Sequence, residues 1–259
     1  MIEKLISELI NTTLDTLITI TNTMETKLLY MEDMQALSCT AQITDLKDGQ
    51  IILNQTVFYP QGGGQPYDTG EIISDGAVFD VKEVRFDNGQ VVHHGDTKKG
   101  DFKIGDCVEC KVNEERRTLH SRIHSAGHVI DMALKELSIP WIPGKGYHFP
   151  DGSYVEYAGN LDDDVEDLKK RLEDACNQIT QSDVKTEVVI TDSEKISDLC
   201  HHVPTYLPKG RPVRVVMYGD FGVPCGGTHV EKLSDIGKIT VRKIKQKKGV
   251  IKVSYQIGN

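Results

Sequence analysis

The hydrophobic positions in the first half of the chain alternate with polar ones. Between residues 38 and 112, short alternating runs such as QIILNQTVFY and GEIISDGAVFDV are separated by Asp-Gly, Asn-Gly and Lys-Gly turns. A period of two is typical of half-buried strands, and these dipeptides favour tight turns. Several short strands around a glycine-rich loop predict a small β-barrel.

After residue 113 the hydrophobic period becomes that of a helix. Apolar residues recur at helical spacing from Leu119 to Leu137, and Glu114 and Glu115 favour the first turn. The remaining pattern predicts strands at 154–157, 185–190 and 213–218, a charged helix at 165–181 and a final hairpin at 239–257. This mixed order after the barrel predicts an α+β fold.

Residues 1–23 form a separate pattern. Ile2, Leu5 and Leu9 fall at helical spacing, and Met24 then begins a new stretch, METKLLYMED. We interpret residues 1–23 as an appended amphipathic helix or an upstream extension of the true start. The predicted domains are then a barrel at 24–112 and an α+β domain at 113–259.

Composition narrows the class of protein. The chain has 259 residues, of which 38% are hydrophobic and 27% charged, as in an ordinary folded domain. No stretch approaches the ~20 apolar residues of a membrane span, and charges interrupt the apolar residues of the N-terminus. We therefore expect a cytoplasmic protein with no membrane partner. Six cysteines are too sparse for a disulfide scaffold, so reduced thiols or metal ligands are expected.

The charge distribution bears on nucleic-acid binding. The formal net charge of -9 argues against such a partner. However, no acidic residue follows Ile236, whereas that segment carries lysines that include Lys243, Lys245, Lys247 and Lys248. One basic face on an acidic protein can bind a phosphate backbone. The alternative is a lysine-rich hairpin that is merely solvated.

A metal-binding pattern combines the predicted helix with a distant loop. His120, His124 and His128 are four residues apart, so neighbouring members share one helix face. Far downstream, Cys225 and His229 flank Gly-Gly-Thr. Two helix histidines with this thiolate and imidazole make a four-ligand nitrogen and sulfur set, which favours zinc. Each histidine alone is as readily a core or surface residue, and the spacing leaves open which two of the three bind.

Other combinations of these residue types carry less weight. Ser121 follows His120 where a metalloprotease helix has a glutamate, so peptide hydrolysis by that route is not expected. Cys107 and Cys110 lie in an alternating strand, and we interpret this lone CxxC as structural because its cysteines point to opposite faces. The adjacent residues of Cys200-His201-His202 converge poorly on one ion and are interpreted as a loop.

Three motifs carry a resemblance to a known family. HSAGH at 124–128 and CGGTH at 225–229 resemble the paired zinc motifs of alanyl-tRNA synthetase editing domains and of freestanding AlaX-type editing proteins. TVFYPQGGGQPYDTG at 56–70 resembles the glycine-rich segment that precedes their editing core. The resemblance runs from about Met24 to the C-terminus. The first motif departs from the usual His-Thr-Ala-x-His at Ser125, which keeps the hydroxyl.

This resemblance implies a fold, a ligand set and an activity. The fold is α+β, an N-terminal small β-barrel followed by an α+β zinc-binding editing domain. The ligands of one zinc ion per chain are His124, His128, Cys225 and His229. The protein would deacylate tRNA for alanine that carries a wrong amino acid, serine or else glycine, and would do so in trans. A threonyl-type editing module, a non-catalytic zinc-stabilised tRNA-binding protein and an unrelated zinc hydrolase are the alternatives, and DNA is not an expected partner.

The resemblance also brings Gln65 and Thr56 forward as candidate catalytic residues. Gln65 closes the triple-glycine run, and its amide can donate to or accept from a substrate. Thr56 is a weaker candidate of the same kind. Zinc would polarise the ester carbonyl, activate a water or orient the substrate amine, and the sequence leaves these open. No general base is evident.

Overall fold

The computed structural model describes residues 25–205, 207 and 210–258. The helix predicted at residues 1–23 lies outside this part of the chain. The strands are β1 Lys27–Leu28, β2 Ser38–Lys47, β3 Gln50–Leu53, β4 Gln55–Thr56, β5 Gly70–Ser74, β6 Ala77–Asp87, β7 Gln90–Lys99, β8 Cys107–Val112, β9 Ile142–Tyr147, β10 Tyr154–Ala158, β11 Thr186–Asp192, β12 Pro212–Tyr218, β13 Phe221–Pro224, β14 Ile239–Lys247 and β15 Val250–Ile257. The helices are α1 Glu114–Glu136 and α2 Val165–Ile179.

Six strands form the predicted barrel. They close in the order β2-β3-β7-β6-β5-β8. Their alternate residues, among them Ile43, Phe79 and Val91, fill the interior, which is why the sequence alternates. Cys107 is exposed and Cys110 is buried, as the alternation predicts. The barrel prediction is confirmed.

The rest of the chain packs helices against two antiparallel sheets. The sheet orders are β14-β15-β10-β9 and β11-β12-β13. Asn113 accepts a hydrogen bond from the backbone of Arg116 and so caps α1 where the strand period ends. The predicted α+β class is confirmed. Of the described strands, β1, β9 and β13 were not predicted: β1 has only two residues, β9 contains a proline and two glycines, and β13 ends in proline.

The described helices leave no candidate for crossing a membrane, since none of them combines the necessary length with enough apolar character.

A buried ion pair joins the barrel to α1. Arg117, on the first turns of α1, donates from Nε to both carboxylate oxygens of Asp68 at 3.2 and 3.0 Å. Its Nη1 atom donates to the carbonyls of Met34 and Ala36, and Nη2 donates to that of Val57. The Arg117 and Asp68 side chains are 3% and 0% exposed, so each charge depends on the other for compensation.

We expect Asp68→Asn to destabilise the fold severely, because it leaves the Arg117 guanidinium buried without a counter-charge. The loss in unfolding free energy should be about 3–5 kcal/mol. The measurement is urea unfolding followed by circular dichroism. Asp96→Asn is the matched control: it breaks an exposed pair with Lys82 and should leave the midpoint nearly unchanged. Equal midpoints for both variants would contradict a structural role for the buried pair.

Candidate metal centre

The structure brings His124, His128, Cys225 and His229 together. Their four ligand atoms all lie within 4.8 Å of one another. The Sγ atom of Cys225 is 3.5 Å from Nε2 of His124 and 3.3 Å from Nε2 of His229. Nε2 of His128 is buried and has no hydrogen-bond partner among the described residues. This group can hold a metal ion.

The spacing fits a tetrahedral nitrogen and sulfur site. Metal–nitrogen bonds of about 2.0–2.1 Å and a metal–sulfur bond of about 2.3 Å give nitrogen–sulfur edges of about 3.5 Å. The two measured contacts to Sγ have this length. The orphaned Nε2 of His128 is also explained, because an ion at the centre would be its partner.

Each imidazole of the group is oriented through its other nitrogen. Nδ1 of His124 is 2.7 Å from Oε1 of Gln65, and Nδ1 of His128 is 3.3 Å from Oδ2 of Asp131. Nδ1 of His229 is 2.9 Å from the hydroxyl of Tyr218. The amide and carboxylate oxygens can only accept, so they hold the proton on Nδ1 of His124 and His128, and all three partners turn Nε2 toward a metal.

Burial controls the charge of these groups. It lowers the pKa of His124 and of His229 well below the usual value, with further lowering from neighbouring histidines and Arg214, so both rings are neutral. Burial alone would raise the pKa of Cys225, but the neighbouring positive charges of His128 and Arg214 lower it. The hydrogen bond to Asp131 and the negative charges of Cys225 and Asp131 outweigh burial at His128 and raise its pKa to about 10. A bound ion would replace that proton.

The group opens into a large cavity of about 1200 Å³. Its walls include Trp141, Phe221 and the guanidinium-bearing Arg214. Arg214 donates through Nη1 to the carbonyl of Gly227 at 3.1 Å, whereas its buried Nη2 has no partner among the described residues. Arg214 therefore holds the loop that carries Cys225 and His229.

Gln65 lies behind the cluster and is fully buried. Besides binding His124, its Oε1 accepts from the backbone of Thr228 at 3.0 Å, and its Nε2 donates to the hydroxyl of Thr228 at 2.8 Å. The structure does not place its amide on the cavity wall, where a substrate contact would require it. Instead, the loop that carries Gln65 brings its side chain into contact with the candidate ligand His124.

Thr56 lies in β4, outside the group of four candidate ligands. Its side chain is fully buried, with its hydroxyl 2.9 Å from Nε2 of His93. The hydroxyl also accepts from the backbone of Phe58 at 3.1 Å. The structure does not bring Thr56 together with the cluster, because its hydroxyl contacts His93 of β7 instead.

Several further histidines lie on α1 or line the cavity. His120 is buried but lies outside the group of four. His148 follows β9 and stacks on His124 with ring centroids 4.3 Å apart. His201 and His202 line the cavity, although the sequence indicated only a loop. His148 gives no periodic signal in the sequence, because it follows β9, a strand that was not itself predicted.

The basic hairpin is formed by β14 and β15, and its lysines are exposed. A bulge between Val241 and Lys243 turns Arg242 and Lys243 outward together. Lys245 lies beside Lys243 and lowers its pKa through a side-chain contact and charge repulsion. Lys247 and Lys248 lie at the exposed turn. Like charges are thus concentrated on one end of the sheet.

Comparison with family models gives two matches. Residues 2–116 match the model described as tRNA synthetases class II (A). Residues 213–252 match the model described as the threonyl and alanyl tRNA synthetase second additional domain. The second match contains Cys225 and His229. The first begins at residue 2, so the similarity reaches further toward the N-terminus than the motifs indicated.

Curated relatives are of two kinds. The chain is 30% identical over 227 residues to the alanyl-tRNA editing protein AlaX-M of Methanosarcina barkeri, covering 84% of this chain and 90% of the relative. It is 27% identical over 248 residues to the alanine–tRNA ligase of Methanococcoides burtonii and 32% over 224 residues to that of Methanoculleus marisnigri. These matches cover 90% and 83% of this chain, but 26% and 24% of the ligases. The chain thus spans about a quarter of their length.

We predict that Gln65→Ala weakens metal binding, because it frees Nδ1 of His124 and the orientation of the ring. The loss of a partner of this kind costs about 10–100-fold in affinity. The measurement is competition with a chromogenic chelator, together with metal content by elemental analysis. Cys225→Ala should remove most of the metal, and Cys107→Ala should match the wild type. Wild-type affinity in Gln65→Ala, with slower turnover, would instead indicate a direct substrate contact.

Proposed function

Because this chain belongs to the family of freestanding alanyl-tRNA editing proteins, we propose that it deacylates mischarged tRNA for alanine in trans. The bond hydrolysed is the ester between a wrong amino acid and the terminal ribose. Serine is the expected amino acid, and glycine is the second. The observation that carries this proposal is the group of four candidate ligands at a cavity large enough for an aminoacylated nucleoside.

The donor set favours zinc as the metal. Three imidazoles and one thiolate are ligands that zinc prefers, and hard cations such as magnesium prefer oxygen. When bound, zinc supplies a positive charge that can polarise the ester carbonyl. His124, His128, Cys225 and His229 would hold it.

The other cavity residues would bind the substrate and limit water. The apolar walls at Trp141 and Phe221 suit the terminal base and exclude solvent from the ester. Arg214 lines the cavity, and its guanidinium carries a donor, Nη2, that no described residue satisfies. A buried cation is costly to leave without an acceptor, so a substrate that supplies one gains affinity.

The exposed hairpin lysines are the proposed contact to the tRNA backbone. Lys243 and Lys245 lie side by side despite their repulsion, which a polyanion would relieve. The hairpin belongs to the same sheet as β9, which continues to the cavity wall at Gly146 and His148. A bound acceptor stem could therefore direct its terminus into the cavity.

The decisive test of the proposed function is release of amino acid from tRNA for alanine charged with serine, glycine or alanine. We expect serine release, with alanine spared, since a site that hydrogen-bonds a hydroxyl rejects the analogue lacking it strongly. A chelator or Cys225→Ala should abolish the release. Binding of the charged tRNA without any release would identify a non-catalytic tRNA-binding protein instead.

Replacement of Lys245, Lys247 and Lys248 by alanine should weaken tRNA binding and flatten its dependence on salt. Each lost phosphate contact lowers the slope by roughly 0.7–0.9. The measurement is tRNA affinity at several salt concentrations. The matched control replaces Lys82, Lys98 and Lys111, which are exposed on the barrel and paired with carboxylates. If only the control weakens binding, tRNA docks on the barrel.

A further inference from the structure

His148 is a buried imidazole in the cavity that is outside the group of candidate ligands. It is 3% exposed and lines the cavity. Its ring stacks on His124 with a centroid separation of 4.3 Å and an interplanar angle of 21°. The ring nitrogens of His148 therefore lie close to the candidate metal centre, where the ester of the substrate would bind.

Two glycines make room for this ring. A Cβ atom on Gly127 would lie 2.5 Å from Cε1 of His148, and one on Gly146 would lie 2.3 Å from its Nε2. Neither distance is possible for a real side chain, so both positions require glycine while His148 keeps this place. Gly146 itself lines the cavity, and its missing side chain leaves Nε2 open to that space.

The tautomer of His148 follows from its hydrogen bonds. The hydroxyl of Tyr255 donates its single hydrogen to the carbonyl of Ile123 at 2.9 Å. The same oxygen is 2.6 Å from Nδ1 of His148, so it accepts from Nδ1–H. Nε2 then carries a lone pair, and it has no hydrogen bond to any residue that the structure describes. The cavity wall thus presents a neutral acceptor without a partner.

We propose that Nε2 of His148 accepts a hydrogen bond from the side-chain hydroxyl of the serine attached to tRNA, and so makes the site selective for serine. This inference rests on the proposed function. An acceptor that is satisfied only by a hydroxyl is left unpaired when alanine or glycine occupies the site, which disfavours both. The α-amine and the ribose hydroxyls are common to all three substrates and cannot provide this selectivity.

The test compares His148→Asn with His148→Gln. Asparagine keeps an amide near Tyr255 but leaves the position of Nε2 empty, whereas glutamine reaches that position with an amide. For each protein, kcat/KM is measured with tRNA for alanine charged with serine and with glycine. We expect the serine-to-glycine ratio to fall about two- to tenfold in His148→Asn, the worth of one neutral hydrogen bond. In His148→Gln the ratio should stay closer to the wild type.

Metal content separates this role from support of the cluster. If His148→Asn has full metal content and lowers kcat/KM equally for the serine and glycine substrates, the proposal is overturned. His148 would then act in a step common to both reactions. If His148→Asn does not fold, Tyr255→Phe gives the answer, because it keeps the imidazole but frees its tautomer. A lowered ratio there supports the proposal, and an unchanged ratio overturns it. A wild-type protein that releases neither amino acid refutes the proposed function itself.

Discussion

The pairing of Arg117 with Asp68 is the constraint on which the site geometry depends. It fixes the start of α1 against the barrel loop that carries the triple-glycine run. His124 lies two turns further along the same helix, and Gln65 lies three residues before Asp68. The contact of 2.7 Å between these two side chains therefore requires the helix and the loop to be held in register. A displacement of about 1 Å would break this contact and leave the buried Nδ1 atom of His124 without its partner.

The candidate centre therefore joins two halves of the molecule. The barrel contributes Gln65, α1 contributes two histidines, and the loop after β13 contributes Cys225 and His229. Thr228 connects all three. Its hydroxyl lies 2.8 Å from that of Ser121 on α1, and it accepts a hydrogen bond from Nε2 of Gln65. A metal bound here would stabilise the folded arrangement of the barrel, the helix and the loop together, because none of these segments carries all four ligand atoms.

Whether the sequence could reveal an interaction depends on how far apart its partners lie along the chain. The spacing of His124 and His128 is local and periodic, so it identified one face of a helix. The place of Gln65 depends on a contact across 59 positions of sequence, and no local pattern encodes what a buried amide will bind. The surroundings of Thr56 could not be predicted for the same reason, because no local pattern shows that His93 lies opposite its hydroxyl. His148 was missed because the glycines and the proline of β9 weaken any strand signal.

One hydrogen-bonding rule accounts for the histidines around the cavity. Each of His124, His128, His229 and His148 engages a neighbour through Nδ1, and the neighbours differ in kind: an amide, a carboxylate and two phenols. The common result is that every Nε2 is available on the inner side. Three of these atoms point at one centre with the thiolate of Cys225, where a cation satisfies them all. The fourth belongs to His148, which stacks on His124 and is not one of the four ligand residues, so its acceptor lies beside the candidate centre. The same orienting interaction thus produces both the candidate metal site and the polar wall of the pocket.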